Sequence, residues 1–144
     1  MKRVLVTGAG GFIGHHLVNY LKSKSYWVRG VDIEHPEFEI SKADEFLILD
    51  LRRWEKCLEA TNGVEEVYAL AADMGGMGFI SSHHAQILHN NSLINLHTLD
   101  AARENSVKRY LYTSSACIYP EYKQTETNVV PLKEEDAYPA QPQD

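Results

Sequence analysis

Hydroxyl and thiol side chains follow one another in the segment YTSSACIYP, which runs from Tyr112 to Pro120. Ser115 and Cys117 lie two residues apart there, after a run of residues typical of a strand. A hydroxyl can polarise a substrate oxygen, and a thiol, with an ordinary pKa of about 8.5, can exchange protons near neutral pH. Free cysteine is also often a small buried hydrophobe, so the residues alone leave both roles open for Cys117.

A glycine-rich segment, VTGAGGFIG, separates the first predicted strand from the first predicted helix. Its Gly8, Gly11 and Gly14 have the spacing G-x-x-G-x-x-G. In such a loop the first glycine permits a tight turn, the second lets the backbone approach a pyrophosphate, and the third lets the helix pack on the strand. The first turn of the helix, with Phe12 and Ile13, then offers free N–H groups to the anion. The segment therefore predicts a dinucleotide-binding site.

Two aspartates lie near the predicted ends of the second and third strands. Asp32 is placed where an acid accepts hydrogen bonds from the ribose hydroxyls, and its charge would repel a 2′-phosphate. Arg29 lies too early in its strand to compensate that repulsion, so NAD is favoured over NADP. Asp50 could accept a hydrogen bond from the adenine amino group, or it could equally be a helix N-cap.

β-Branched runs alternate with helical patterns along the chain, which predicts an α/β fold with a doubly wound parallel sheet in the order 3-2-1-4-5. The predicted strands are Arg3–Gly8, Tyr26–Asp32, Glu45–Leu51, Glu65–Ala72 and Val107–Ser115. The predicted helices are Phe12–Lys24, Arg52–Ala60 and one long helix, Ile80–Asn105. We expect residues 1–119 to form a Rossmann domain and residues 120–144 a loop.

Bulk properties exclude several classes of protein. The net charge of −6 argues against a nucleic-acid partner, and no apolar run approaches the roughly 20 residues that cross a bilayer. Two cysteines are too few for a disulfide framework, which favours a reduced cytoplasmic setting. The adjacent pairs His15-His16 and His83-His84 lack the spacing of a helical metal site, so we expect no metal.

The chain resembles the extended short-chain dehydrogenase/reductase family, also described as NAD-dependent epimerases and dehydratases. The segments VTGAGGFIG, LAADMGGMGFI, LDAAR and SSACIYPEYKQTE carry the resemblance in the order usual for that family. The second and fourth are similar to members that epimerise GDP-mannose at C3 and C5 through a transient 4-keto sugar. The resemblance implies an NAD-dependent epimerase, with this chain as its N-terminal part and an incomplete Rossmann fold.

The resemblance also implies roles for individual residues. Ser115 and Cys117 match a catalytic hydroxyl and an acid/base residue that both touch the substrate, and Gly75 and Met77 match further substrate contacts. Cofactor-binding positions are matched by Gly8, Gly11, Phe12, Ile13, Gly14, Asp32, Asp50, Leu70, Ala71, Ala72 and Asn91.

Other parts of the enzyme are expected elsewhere in the natural protein. A Tyr-x-x-x-Lys pair and a nucleotide-sugar domain are expected after Asp144, and the complete protein is expected to form a homodimer. This chain alone is expected to be inactive. Three alternatives remain from the residues: a nucleotide-sugar 4-epimerase, a dehydratase, or a non-catalytic NAD-binding module.

Overall fold

The computed structural model describes residues 1–37, 39–75, 77–115, 118–123 and 131–138, without the side chains of Met77, Ser81 and Glu121. Five parallel strands form one sheet in the order β3-β2-β1-β4-β5, which confirms the predicted topology. The strands are β1 (Arg3–Thr7), β2 (Trp27–Asp32), β3 (Glu45–Ile48), β4 (Glu66–Ala69) and β5 (Arg109–Tyr112). Because β1 is central and all strands are parallel, their carboxyl ends meet at one edge.

Helices cover both faces of the sheet. They are α1 (Phe12–Ser23), α2 (Trp54–Thr61) and α4 (His84–Glu104), and a further short helix, α3 (Met77–Ser82), contacts α4. On one face Val18 and Leu21 of α1 pack with Val4 and Val6 of β1. On the other face Leu5, between those two valines, packs with residues of α2 and α4. The alternation confirms a doubly wound, three-layered arrangement.

Burial on both faces explains why β1 is a continuous apolar run. Val4, Leu5 and Val6 are fully buried, as is usual for the central strand of a parallel sheet. Full burial of each such side chain stabilises the native state by about 1.5–3 kcal/mol. Leu5 therefore packs in the layer formed with α2 and α4, and Val4 and Val6 pack in the layer formed with α1.

The single long helix predicted over Ile80–Asn105 is wrong, because α3 and α4 are separate helices that meet at His83. Side chains compete with the backbone at this break. The Ser82 hydroxyl donates to the Gly78 carbonyl at 2.7 Å, and His83 Nδ1 lies 3.1 Å from the Phe79 carbonyl oxygen. The break separates the short α3 segment from the helix that lies under the sheet.

The chain divides into two compact units, Met1–Tyr112 and Thr113–Asp144. Within the second unit, the described residues include short 3₁₀ turns at Glu121–Lys123 and Glu134–Ala137, and Lys123 forms an ion pair with Asp136. The predicted boundary at residue 119 stays a prediction. Across the described part of the chain, no helix has the length and apolar character needed to span a membrane.

Candidate functional site

A cavity of about 430 Å³ lies at the carboxyl ends of the strands in the first unit. The order of the strands reverses between β1 and β4, and crevices at such a reversal are the usual ligand sites of open α/β sheets. The lining includes Gly8, Gly11, Asp32, Ile33, Glu34, Leu49, Asp50, Leu51, Arg52, Leu70, Ala71, Ala72, Asp73, Met74, Gln86, Asn90 and Ile94. The cavity thus brings together the glycine-rich loop, Asp32, Asp50 and the segment that begins at Leu70.

Two of the motif glycines are required by the packing of the protein itself. Gly8 has a φ of +69°, and a Cβ there would lie 3.0 Å from the backbone nitrogen of Ala71. At Gly14 a Cβ would lie 1.9 Å from the Gly8 carbonyl oxygen, so a side chain would push α1 away from the loop. Gly8 therefore permits the turn, and Gly14 permits the close approach of helix and strand.

Gly11 differs from these two because the protein leaves room for a side chain there. A Cβ at Gly11 would make an ordinary contact, 3.5 Å from the Gly8 carbonyl oxygen. Gly11 is the N-cap of α1 and has no side chain to accept hydrogen bonds from the first turn. Phe12 and Ile13 in that turn are 68% and 71% exposed. Open N–H groups and the positive end of the helix dipole fit a pyrophosphate.

Asp32 is held against the glycine loop by the backbone. Its Oδ2 accepts from the Gly10 N–H at 2.8 Å, and its Oδ1 accepts from the Ile33 N–H at 2.7 Å. A Cβ at Gly10 would lie 2.6 Å from the Glu34 carbonyl oxygen and 3.0 Å from the Asp32 carboxylate. Gly10 therefore helps to place Asp32, a role that the sequence signalled through an additional glycine in the loop but that our prediction missed.

Asp50 lines the cavity as a partner of Arg52. The Arg52 Nη2 donates to Asp50 Oδ2 at 2.7 Å, and the Arg52 backbone N–H donates to Asp50 Oδ1 at 3.0 Å. The hydrogen bonds from the Arg52 side chain are the main reason that the pKa of Asp50 is lowered. The alternative that Asp50 is a helix N-cap is wrong, since Arg53 is the N-cap of α2.

Arg29 lies away from this cavity, as the sequence suggested. It is 8% exposed and pairs with Glu45 through a 2.6 Å contact. Its Nη1 donates to the carbonyl oxygens of Ala60 and Asn62, each at 2.8 Å. The guanidinium therefore binds the carboxyl end of α2 and supplies no charge to the cavity, where Arg52 already pairs with Asp50.

The loop after β4 contributes Leu70, Ala71 and Ala72 to the lining. Asn91 contacts the backbone of this loop, because its Oδ1 accepts from the Asp73 N–H at 2.6 Å. Gly75 is exposed, and a Cβ there would lie 2.7 Å from Cδ1 of the Phe79 ring. The backbone of Met77 begins α3, and its side chain is outside the described residues.

The two proposed catalytic residues belong to the second unit. Ser115 follows β5 by three residues and is exposed, and its carbonyl oxygen accepts from the Ile118 N–H at 3.3 Å. Cys117 lies outside the described residues. Cys57, by contrast, is fully buried, and burial raises the pKa of its thiol to about 11. Among the described residues, no group of three or more His, Cys, Asp and Glu could hold a metal ion.

Comparisons with known proteins identify the relatives of this chain. The profile of the NAD dependent epimerase/dehydratase family matches residues 4–142. The chain is 54% identical to GDP-mannose 3,5-epimerase 1 from Oryza sativa subsp. japonica, over 99% of this chain and 38% of that protein. It is 51% identical to GDP-mannose 3,5-epimerase from Arabidopsis thaliana, with the same coverage of both. The chain therefore spans 38% of the length of these relatives.

A solved structure shows the same fold together with a cofactor. It is a short-chain dehydrogenase/reductase superfamily protein from Agrobacterium tumefaciens with bound NAD. It superposes with a TM-score of 0.78 and 26% identity, over 99% of this chain and 40% of that one. Family and fold together support NAD use at a site of this kind.

Proposed function

Because the chain belongs to the NAD dependent epimerase/dehydratase family, we propose that its complete natural protein epimerises GDP-mannose at C3 and C5. The observation that carries this proposal is the 54% identity to a GDP-mannose 3,5-epimerase over 99% of the chain. The segments LAADMGGMGFI and SSACIYPEYKQTE resemble the same group in the family, and this resemblance supports the same substrate.

The cavity residues would bind NAD in the following way. The first-turn N–H groups of α1 and the bare backbone at Gly11 receive the pyrophosphate. The Asp32 carboxylate, already oriented by Gly10 and Ile33, accepts from the ribose hydroxyls. Asp73 adds further negative charge to the lining, whereas the charge of Asp50 is paired with Arg52. A 2′-phosphate would therefore be repelled, and NAD is preferred to NADP.

Recognition of adenine by Asp50 requires a change at Arg52. Both carboxylate oxygens of Asp50 already accept hydrogen bonds from the Arg52 side chain. An adenine amino group can reach Asp50 when one of these bonds opens. The pair is substantially exposed, with side chains 46% and 33% accessible, so opening it costs little.

The chemistry needs an acidic carbon, because the C–H groups at C3 and C5 of a hexose do not ionise by themselves. When bound, NAD supplies the redox step that converts the C4 hydroxyl into a ketone and back. Ser115 donates a hydrogen bond to the C4 oxygen and stabilises its developing charge. Cys117 exchanges a proton with a carbon beside the ketone on one face of the sugar, and inversion requires a second acid/base group on the opposite face.

Three variants of the complete protein test this assignment. Cys117→Ala should lower the rate of epimer formation from GDP-mannose by at least about 100-fold, since an acid/base group contributes roughly 10²–10⁴. Ser115→Ala should lower kcat to a similar extent, whereas the neighbouring Ser114→Ala should retain activity. Product formation is followed by proton NMR of the sugar ring.

Full activity of Cys117→Ala, with unchanged binding of NAD, would contradict a catalytic thiol. Formation of a C4 epimer instead would favour the 4-epimerase alternative, and NAD binding without any turnover of nucleotide sugars would favour a non-catalytic module. A homodimeric complete protein and a cytoplasmic location stay predictions from the sequence.

A further inference from the structure

The loop that follows β4 is attached to the sheet at its first residues. Thr7, at the end of β1, is 1% exposed. Its Oγ1 accepts from the backbone N–H groups of Leu70 and Ala71, each at 3.1 Å. These bonds draw the chain out of the sheet after Ala69 and direct it along the cavity wall.

A second attachment involves the main chain at Asp73. Asn91 on α4 accepts from the Asp73 N–H at 2.6 Å and donates through Nδ2 to the Asp73 carbonyl oxygen at 3.0 Å. The amide side chain thus pairs with both backbone groups of one residue, much as a neighbouring strand would. Such a pairing fixes the peptide planes on either side of Asp73 and satisfies groups that would otherwise lack a partner.

The neighbouring Asn90 fixes the side chain of the same residue. It is 6% exposed, and its Nδ2 donates to Asp73 Oδ2 at 2.7 Å. Its own Oδ1 lies 3.2 Å from Nδ1 of His89. A hydrogen bond to a carboxylate is stronger than one between neutral groups, so Asn90 also fixes the direction of the Asp73 charge in the cavity.

We propose that Asn90 and Asn91 are positioning residues, which clamp Asp73 and thereby set the course of the loop from Leu70 to Gly75. The loop ends where Gly75 packs closely against the Phe79 ring. Between Thr7 and that ring, the two asparagines hold the middle of the loop. By fixing the loop, Asn91 keeps Gly75 in the position at which Gly75 contacts the nucleotide sugar. The last step rests on the proposed function.

Amide hydrogen exchange of the full-length protein tests the clamp directly. In Asn91→Ala, exchange at the Asp73 amide should become at least about tenfold faster, because its hydrogen-bond acceptor is lost. The amides of Leu70 and Ala71 should keep their protection, since Thr7 holds them. In Thr7→Val the amides of Leu70 and Ala71 should exchange faster, while the Asp73 amide keeps its protection. The control is Asn95→Ala, one turn further along α4, where the amide makes a 3.4 Å contact with the Tyr112 hydroxyl.

Binding measurements separate action through the loop from direct contact with the cofactor. In Asn91→Ala the Kd for NAD should change by less than about threefold, while KM for GDP-mannose should rise at least about fivefold. Asn91→Asp keeps an acceptor for the Asp73 N–H and should leave that amide more protected than in Asn91→Ala. This comparison covers the case in which Asn91→Ala folds poorly.

Unchanged exchange at Asp73 in Asn91→Ala would overturn the clamp. So would equal acceleration at Leu70, Ala71 and Asp73, which indicates a general loss of stability. A tenfold weaker Kd for NAD without faster exchange at Asp73 would assign Asn91 to the cofactor directly. If the wild-type protein does not convert GDP-mannose, the proposed function fails. The amide exchange rates still show whether Asn90 and Asn91 clamp Asp73.

Discussion

Replacing Gly11 by alanine should separate cofactor binding from folding. Gly11 has a φ of −74°, which any residue adopts, and a Cβ there would lie 3.5 Å from the nearest atom, the Gly8 carbonyl oxygen. The folded protein therefore accepts the methyl group. A bound pyrophosphate would not accept it, because the methyl group would stand between the anion and the first turn of α1.

The expected sizes of the two effects differ widely. Alanine is a poorer N-cap than glycine by up to about 1 kcal/mol, and the smaller entropy of the unfolded chain returns about 0.4–1 kcal/mol. The net change in the free energy of unfolding should stay within about 1 kcal/mol. Losing one or more hydrogen bonds to a charged phosphate costs about 1.5–3 kcal/mol, which weakens the Kd for NAD about 10- to 150-fold.

Gly14→Ala and Gly78→Ala complete the comparison. A Cβ at Gly14 would lie 1.9 Å from a carbonyl oxygen, and one at Gly78 would have no atom of the described residues within 4 Å. Gly14→Ala should therefore destabilise the protein, since overpacking of about 1–3 kcal/mol or more exceeds the gain of about 1 kcal/mol in helix propensity. Gly78→Ala should be neutral or stabilising.

Urea unfolding gives the stability of each variant, and isothermal titration calorimetry gives the Kd for NAD. Wild-type affinity in a stably folded Gly11→Ala variant would refute the placement of the pyrophosphate. Strong destabilisation of that variant would instead refute the packing argument at Gly11.

Two further predictions concern ionisable groups. His15 donates a 2.7 Å hydrogen bond to Glu39, and this bond, followed by one from Asn19, lowers the Glu39 pKa below its ordinary value of 4.5. The native state thus favours the ionised form, so the stabilisation is complete above that value and is lost as the pH falls through the lowered pKa. Thermal unfolding between about pH 6 and pH 3 should therefore lose more stability in wild type than in Glu39→Gln, and parallel curves would contradict this. Cys57 is buried with a pKa of about 11, so at pH 8 only about one thiol in a thousand is ionised. Iodoacetamide should modify it at least about 100-fold more slowly in the native than in the urea-unfolded protein, as measured by mass spectrometry of the tryptic peptide; similar rates would show that the thiol is accessible.

The sheet could be predicted from the sequence because its strands are short, apolar and β-branched, with a glycine loop directly after the first. Their carboxyl ends were harder to locate. The prediction continued the fourth strand to Ala72, whereas β4 ends at Ala69. The cause is a distant hydroxyl: Thr7 accepts from the N–H groups of Leu70 and Ala71, and no local pattern reports such a contact.

The helix break and the contacts of the loop after β4 were missed for a similar reason. No glycine or proline interrupts the sequence from Ile80 to Asn105, so the local pattern favours one helix. The side-chain contacts of Ser82 and His83 with backbone carbonyls end that helix. Asn90 and Asn91 are ordinary helix residues in the sequence. Their relation to Asp73 exists because the fold brings α4 beside the loop.

The most direct measurement of the proposed function is the position of solvent deuterium in the sugar. Full-length protein is incubated with GDP-mannose in D₂O, and each ring proton is followed by NMR. We expect deuterium at C5 and C3, where protons pass through side chains and solvent, and retained hydrogen at C4, where it returns from the cofactor. Epimerisation without deuterium at C5, or with deuterium at C4, would contradict a 4-keto route with proton exchange by the protein.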